Sequence, residues 1–120
     1  VIRAGTTSDH VCAFWDFLPT ACELAGAEPP PKTDGISLLP VLLGRDQPAH
    51  DSMYWQFGSK TAVRQGKWKA VRLKPDGPTE LYDLEADLGE TTDVASEHAD
   101  VAKRLGDIMT EVRSAAPSTR

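Results

Sequence analysis

One hundred and twenty residues, 40% of them hydrophobic and 26% charged, are enough for one core without disulfide or metal support, and too apolar for wholesale disorder. Thirteen basic against eighteen acidic residues give a net charge of −5, which excludes a general nucleic-acid binder, because displacing counterions from phosphates takes surplus Lys and Arg. No apolar run approaches the roughly 18 residues of a membrane-spanning helix. The chain opens Val1-Ile2-Arg3, with neither Met nor a charged-then-apolar leader, and so reads as a piece of a longer protein cut on its N-terminal side.

The first predicted element is a helix. Phe14, Phe17, Leu18, Ala21, Leu24 and Ala25 recur at helical spacing. Asp16 is expected to cap it, and Pro19 is tolerated only in a first turn, so the regular helix begins near Phe17 after an extended lead-in over 10–15. Gly26 stops it and Pro29-Pro30-Pro31 prevents a restart. Cys12 and Cys22, if on one helical stretch, lie about 15 Å apart, too far for a disulfide, and read as two small buried apolar residues. After a linker to Gly35, Ser37 caps a short helix over 38–43 that Gly44 ends, and residues 45–51 are loop.

Four strands follow: 53–57, 61–64, 67–73 and 79–84. Gly58-Ser59, Gln65-Gly66 and Pro75-Asp76-Gly77-Pro78 separate them. Connections this short imply an antiparallel meander. Leu81 and Tyr82 are expected in the core of the fourth strand, and Trp55 and Trp68 are expected to pack the sheet. Residues 85–95 read as a solvated loop. A last helix from about 97 to 114 carries an apolar stripe of Val101, Leu105, Ile108, Met109 and Val112, suited to covering the apolar face of a small sheet. The fold class is therefore α+β: a four-stranded antiparallel sheet packed by a C-terminal helix, with an earlier helix ahead of it.

Charge is segregated. Six basic residues and no acid lie between 60 and 74; eight acids and no Lys or Arg lie between 80 and 100. Cross-strand pairing on a solvated face is the expected use, with a basic surface for an anionic substrate as the alternative. Metal-ligating and catalytic words are missing. His10, His50 and His98 have no second His or Cys at ligand spacing, the acidic stretch from Asp83 lacks the pattern of a calcium loop, and there is no phosphate-cradling glycine loop or nucleophile elbow.

Word order goes further. Asp16-Phe17-Leu18-Pro19-Thr20, Glu23-Leu24-Ala25-Gly26-Ala27 and Asp34-Gly35-Ile36-Ser37-Leu38-Leu39-Pro40 come first. His50-Asp51-Ser52-Met53-Tyr54-Trp55, Ala62-Val63-Arg64-Gln65-Gly66-Lys67-Trp68-Lys69 and Glu80-Leu81-Tyr82-Asp83-Leu84 follow, with Asp87 and Glu90 behind. Together these resemble the C-terminal part of the sulfatases of the alkaline-phosphatase-like superfamily, and within them the arylsulfatase A-like branch. The resemblance implies a parent enzyme that hydrolyses sulfate esters with a formylglycine nucleophile and a divalent metal, usually calcium. Neither cysteine here sits in the Cys/Ser-x-Pro-x-Arg word from which formylglycine is made. No catalytic residue and no metal ligand are therefore carried over, and the segment alone is expected to be inactive. Residues 1–45 would be the tail of the large α/β domain and 46–120 the C-terminal subdomain.

The implied partners are the N-terminal sulfatase domain of the same polypeptide and a sulfated small molecule or glycan. The early helix would belong to that domain, and without it Phe14, Phe17 and Leu24 are expected to be exposed or buried against a second copy of the segment. Family habit points to the periplasm or the cell exterior. The expected substrate-reaching residues are Ser59 and Lys60, in the loop between strands one and two, and His50 just before strand one. The competing readings are a phosphate-ester hydrolase or phosphoryl transferase of the same superfamily, and a non-catalytic interaction module.

Overall fold

A computed structural model of the chain describes residues 2–115. It divides into two compact units, Val1–His50 and Asp51–Arg120.

In the first unit a single 3-10 turn, Phe14–Asp16, leads into α1, Phe17–Ala25. Pro19 falls in the first turn, where its missing N–H costs nothing. Gly26 ends the helix in the left-handed region at φ 68°, and the amides of Gly26 and Ala27 reach back to the carbonyls of Glu23 and Cys22. The short helix is α2, Leu39–Leu42. Ser37 Oγ accepts the Leu39 amide at 3.2 Å, one position further out than a cap. The Gln47 side chain holds both ends, accepting the Val41 amide and donating to the Ser37 carbonyl. Two expectations need correction here. Cys12 is exposed and Cys22 half-buried, so neither is a core residue. The lead-in to α1 is a 3-10 turn at its end rather than extended throughout.

The second unit is the meander: β1 Met53–Phe57, β2 Lys60–Gln65, β3 Trp68–Arg72 and β4 Glu80–Asp83, in sheet order β1-β2-β3-β4, every pair antiparallel. Gln65 pairs with Trp68, so the second turn is Gly66-Lys67, one residue later than expected, with Gly66 at φ 58°. The last helix is α3, Ala99–Ala115.

Alternation assigns the two faces. Val63 pairs with Ala70 and Ala70 with Leu81, all 0% exposed; beneath α3 they meet Val101, Ala102, Leu105 and Met109. Burying a Val, Leu or Met side chain in this way supplies about 1.5–3 kcal/mol. Trp68 packs at the edge of this cluster, its ring 4.7 Å from that of His98. Trp55 does not join it: its partner in register is Ala62, on the opposite face, and it remains 37% exposed.

Candidate functional site

Asp16 organises the first unit, and in a way different from the expected helix cap. Its carboxylate makes no cap bond to α1. It is 0% exposed, and it accepts the amide of Ala13 at 2.7 Å, the amide of Ile36 at 2.9 Å and His50 Nε2 at 2.7 Å. Burial by itself pushes this carboxyl up. The Ala13 and Ile36 amides and the hydrogen bond and charge of His50 outweigh that, holding it below the ordinary Asp value. Thr20, one turn along α1, extends the knot: its hydroxyl donates to the Asp16 carbonyl and accepts the Leu38 amide. Gly35 completes it. A Cβ there would stand 2.2 Å from the Trp15 carbonyl oxygen, so only glycine lets the linker pass. The Asp-x-x-Pro-Thr and Asp-Gly-Ile-Ser words are thus two halves of one hydrogen-bonded knot. His50, its side chain 11% exposed, is its third strand.

Ser59 and Lys60 lie in the second unit, at the tip of the β1–β2 hairpin, and both are exposed. Lys60 is the first residue of β2 rather than a loop residue, paired with Phe57. The Ser59 carbonyl accepts Arg113 from α3 at 3.3 Å. The structure therefore joins Ser59 and Lys60 at one tip, while His50 belongs to the other unit.

Opposite charges do meet, but not as the expected cross-strand neighbours: register sets Lys69 opposite Tyr82 and Val71 opposite Glu80, and the ion pairs run from the β2–β3 turn to β4 and from β3 to the loop after β4. Lys67 meets Asp83 at 2.6 Å and Lys69 meets Glu90 at 2.5 Å. The Asp83 partner raises the Lys67 ammonium, and Lys67 holds Asp83 below its usual range. The acidic loop after β4 is more ordered than a merely solvated one. Asp83 accepts the amides of Glu85 and Ala86, Asp87 those of Thr91 and Thr92, and Asp93 those of Leu81 and Ala95. Each carboxylate is used to fold the backbone. Glu90 sits at φ 54°, an uncommon left-handed conformation for a residue with a side chain, held there beside Lys69.

Among the described residues no group of three or more His, Cys, Asp or Glu could hold a metal ion. Neither cysteine has the Cys/Ser-x-Pro-x-Arg neighbours from which formylglycine is made.

Comparison with known proteins matches this arrangement. The family described as "N-sulphoglucosamine sulphohydrolase, C-terminal" covers residues 1–115. A choline-sulfatase of Rhizobium meliloti is 39% identical over 87 residues, 67% of this chain and 17% of that protein. An N-acetylglucosamine-6-O-sulfatase of Bacteroides thetaiotaomicron is 29% identical over 121 residues, 90% of this chain and 22% of its own length. The solved structure of a 2-O GAG sulfatase superposes at a TM-score of 0.62 with 32% identity, over 82% of this chain and 24% of the other. The fold is that of a sulfatase C-terminal region. The chain belongs to the N-sulphoglucosamine sulphohydrolase C-terminal family, and spans about a fifth of the length of the curated relatives it matches.

Proposed function

We propose that the polypeptide containing this chain hydrolyses sulfate esters, and that these residues form its C-terminal lobe. The family match over 1–115 carries the reading. It is supported by the four-strand-and-helix unit shared with a solved sulfatase. The nucleophile and divalent cation expected of such an enzyme would come from parts of the polypeptide outside these 120 residues. When bound, the cation would supply charge for the sulfate oxygens.

Within this chain, the β1–β2 tip with Ser59 and Lys60 is our candidate for contact with a sulfated substrate, because an exposed tip on a rigid hairpin varies without disturbing the sheet. His50 is the second candidate: the buried Asp16 fixes its ring through Nε2 and so fixes where its other edge points. Sulfated glycans are the favoured substrate class, since several relatives are named for amino-sugar or glycosaminoglycan substrates; a sulfated small molecule is the alternative, as in the choline-sulfatase.

The test is expression of the full-length gene and assay of sulfate release from 4-nitrocatechol sulfate and from sulfated oligosaccharides, beside phosphate release from 4-nitrophenyl phosphate. Sulfate release is expected to dominate; phosphate release alone would overturn the reading. In that enzyme Lys60→Ala and His50→Ala are expected to raise KM for a sulfated substrate, and unchanged kinetics in both would remove their assigned role.

A further inference from the structure

We propose that a groove in the first unit, between residues 2–8 and 41–45, binds a sulfate group carried on a sugar chain. The proposal rests on the sulfated-glycan reading above and adds where such a chain is held. The groove has a volume of about 660 Å³, within the roughly 300–1,000 Å³ of small-ligand sites. Its lining includes none of His50, Ser59 and Lys60.

Two turns shape it. Ala4-Gly5 reverses the chain with Gly5 at φ 74°, and the Thr6 hydroxyl donates back to the Arg3 carbonyl at 2.9 Å. Leu43-Gly44 makes the second turn at the end of α2, with Gly44 at φ 69°. Each turn leaves one arginine on the groove, Arg3 ahead of the first and Arg45 behind the second.

Charge singles the groove out. Residues 1–50 hold six acids and three bases, yet two of the three bases line this groove, and no acid is among its described lining residues. Arg3 and Arg45 are both exposed, and among the described residues neither guanidinium has an ion-pair or hydrogen-bond partner. The contrast is with Lys67, Lys69 and Arg72 of the second unit, all of them committed to partners. Arg45 is not needed as a helix cap either. The amides of Leu43, Gly44 and Arg45 already take the carbonyls of Leu39, Val41 and Pro40.

The hydroxyls call for the same ligand chemistry. Ser8 Oγ accepts the His10 amide at 3.2 Å, which leaves its own proton to donate, and Thr7 adds another hydroxyl to the lining. A guanidinium donates and never accepts, so two of them beside free hydroxyls are complemented by acceptor oxygens bearing negative charge. The terminal oxygens of a sulfate ester are of that kind. Half-buried Val41, Leu42 and Leu43 add apolar surface for the ring carbons of the sugar that carries it.

The full-length protein tests this with a heparin tetrasaccharide as probe, its binding read by calorimetry at fixed salt. Replacing both arginines, Arg3→Gln with Arg45→Gln, is expected to weaken binding about ten-fold, as the loss of charge-assisted hydrogen bonds does. Turnover of 4-nitrocatechol sulfate is expected to stay at the wild-type rate, which also shows that the variant is folded. Unchanged tetrasaccharide binding overturns the proposal, and so do equal losses in binding and in that turnover. An equal loss in Lys32→Gln, an exposed cation of the same unit outside the groove lining, assigns the effect to overall charge and overturns it. A desulfated tetrasaccharide that binds as tightly overturns it. Displacement by inorganic sulfate at the tetrasaccharide's own concentration assigns the groove to a free anion and also overturns it. Sulfate release by the wild type separates the two readings: active protein whose binding ignores the arginines removes the groove alone, and inactive protein that binds through them removes the activity alone.

Discussion

The guanidinium of Arg72 lies directly over Gly106 of α3: a methyl group on that glycine would begin 2.9 Å from Arg72 Nη2. From β3 the side chain crosses to the helix. It donates to the Gly106 carbonyl at 3.3 Å, to Thr79 Oγ1 at 3.0 Å and to Thr110 Oγ1 at 3.1 Å. A glycine in mid-helix costs roughly 1 kcal/mol against alanine, and this contact is its compensation.

Gly106→Ala is therefore expected to destabilise the fold despite better helix propensity. Displacing a charged donor from three acceptors outweighs the gain, for a net loss of about 1 kcal/mol. In an Arg72→Met background the loss should shrink or reverse, because the methyl group then meets no guanidinium and only Thr79 Oγ1, at 3.1 Å, remains close. Urea denaturation of the four proteins of this cycle checks it; an unchanged effect of the glycine substitution in both backgrounds removes the contact as the cause.

Gly35→Ala is expected to be far more damaging. The obstacle there is backbone, the Trp15 carbonyl carbon and oxygen, with Pro19 Cγ behind them. Neither can swing aside as a long side chain does. A loss of more than about 3 kcal/mol is expected, read as lost thermal stability or failure to accumulate soluble protein. Alanine at Gly58, where the surrounding space is open, should cost only the strain of its positive φ, about 1 kcal/mol.

Acid should loosen the first unit through Asp16. Its carboxyl is depressed in the folded state, so its contribution is complete above the ordinary Asp value near 3.9 and is lost as pH falls through the lower folded value. Asp16→Asn is expected to remove that acid dependence. At neutral pH it should cost about 2–4 kcal/mol, because an amide cannot accept from Ala13, Ile36 and His50 together. Stability measured from pH 7 to pH 2 in both proteins decides; parallel curves would count against the carboxylate as the origin.

Tyr82 supplies a spectroscopic marker on the alkaline side. Its hydroxyl donates to Glu80 at 2.9 Å, and chiefly that bond, with burial and nearby carboxylates, pushes its pKa up to about 12. A group raised on folding adds stability below its unfolded value near 10, and that stability disappears as pH rises through the folded value. Ultraviolet titration of Glu80→Gln should show the Tyr82 phenolate forming nearer pH 10; an unmoved titration would assign the shift elsewhere.

Most of the second unit could be read from the chain alone. Alternation in 61–64 and 80–83 and the stripe from Val101 to Met109 depend on near neighbours and on one partner face, and local spacing encodes both. The strand bounds moved by a residue at most, and the start of the last helix moved from 97 to 99. The site was less legible. Asp16 has the right type and place for a cap, yet its partners are Ile36, 20 residues on, and His50, 34 residues on. No local rule announces a bond of that span. The only hints were Gly35 beside Ile36, a glycine with no turn to explain it, and a lone His ahead of a strand. The acidic stretch from Asp83 to Asp93 likewise looks solvated by composition, and only the register of its carboxylates against the backbone amides shows that it is folded.

Fastening residues 36 and 50 to a single carboxylate turns the chain from 16 to 50 into two closed loops sharing one clasp. Whatever happens inside the first loop is isolated from its ends. The exposed Pro29-Pro30-Pro31 stretch should therefore accept an inserted tag or a protease site without releasing the clasp, since lengthening a closed loop adds only a small entropic penalty.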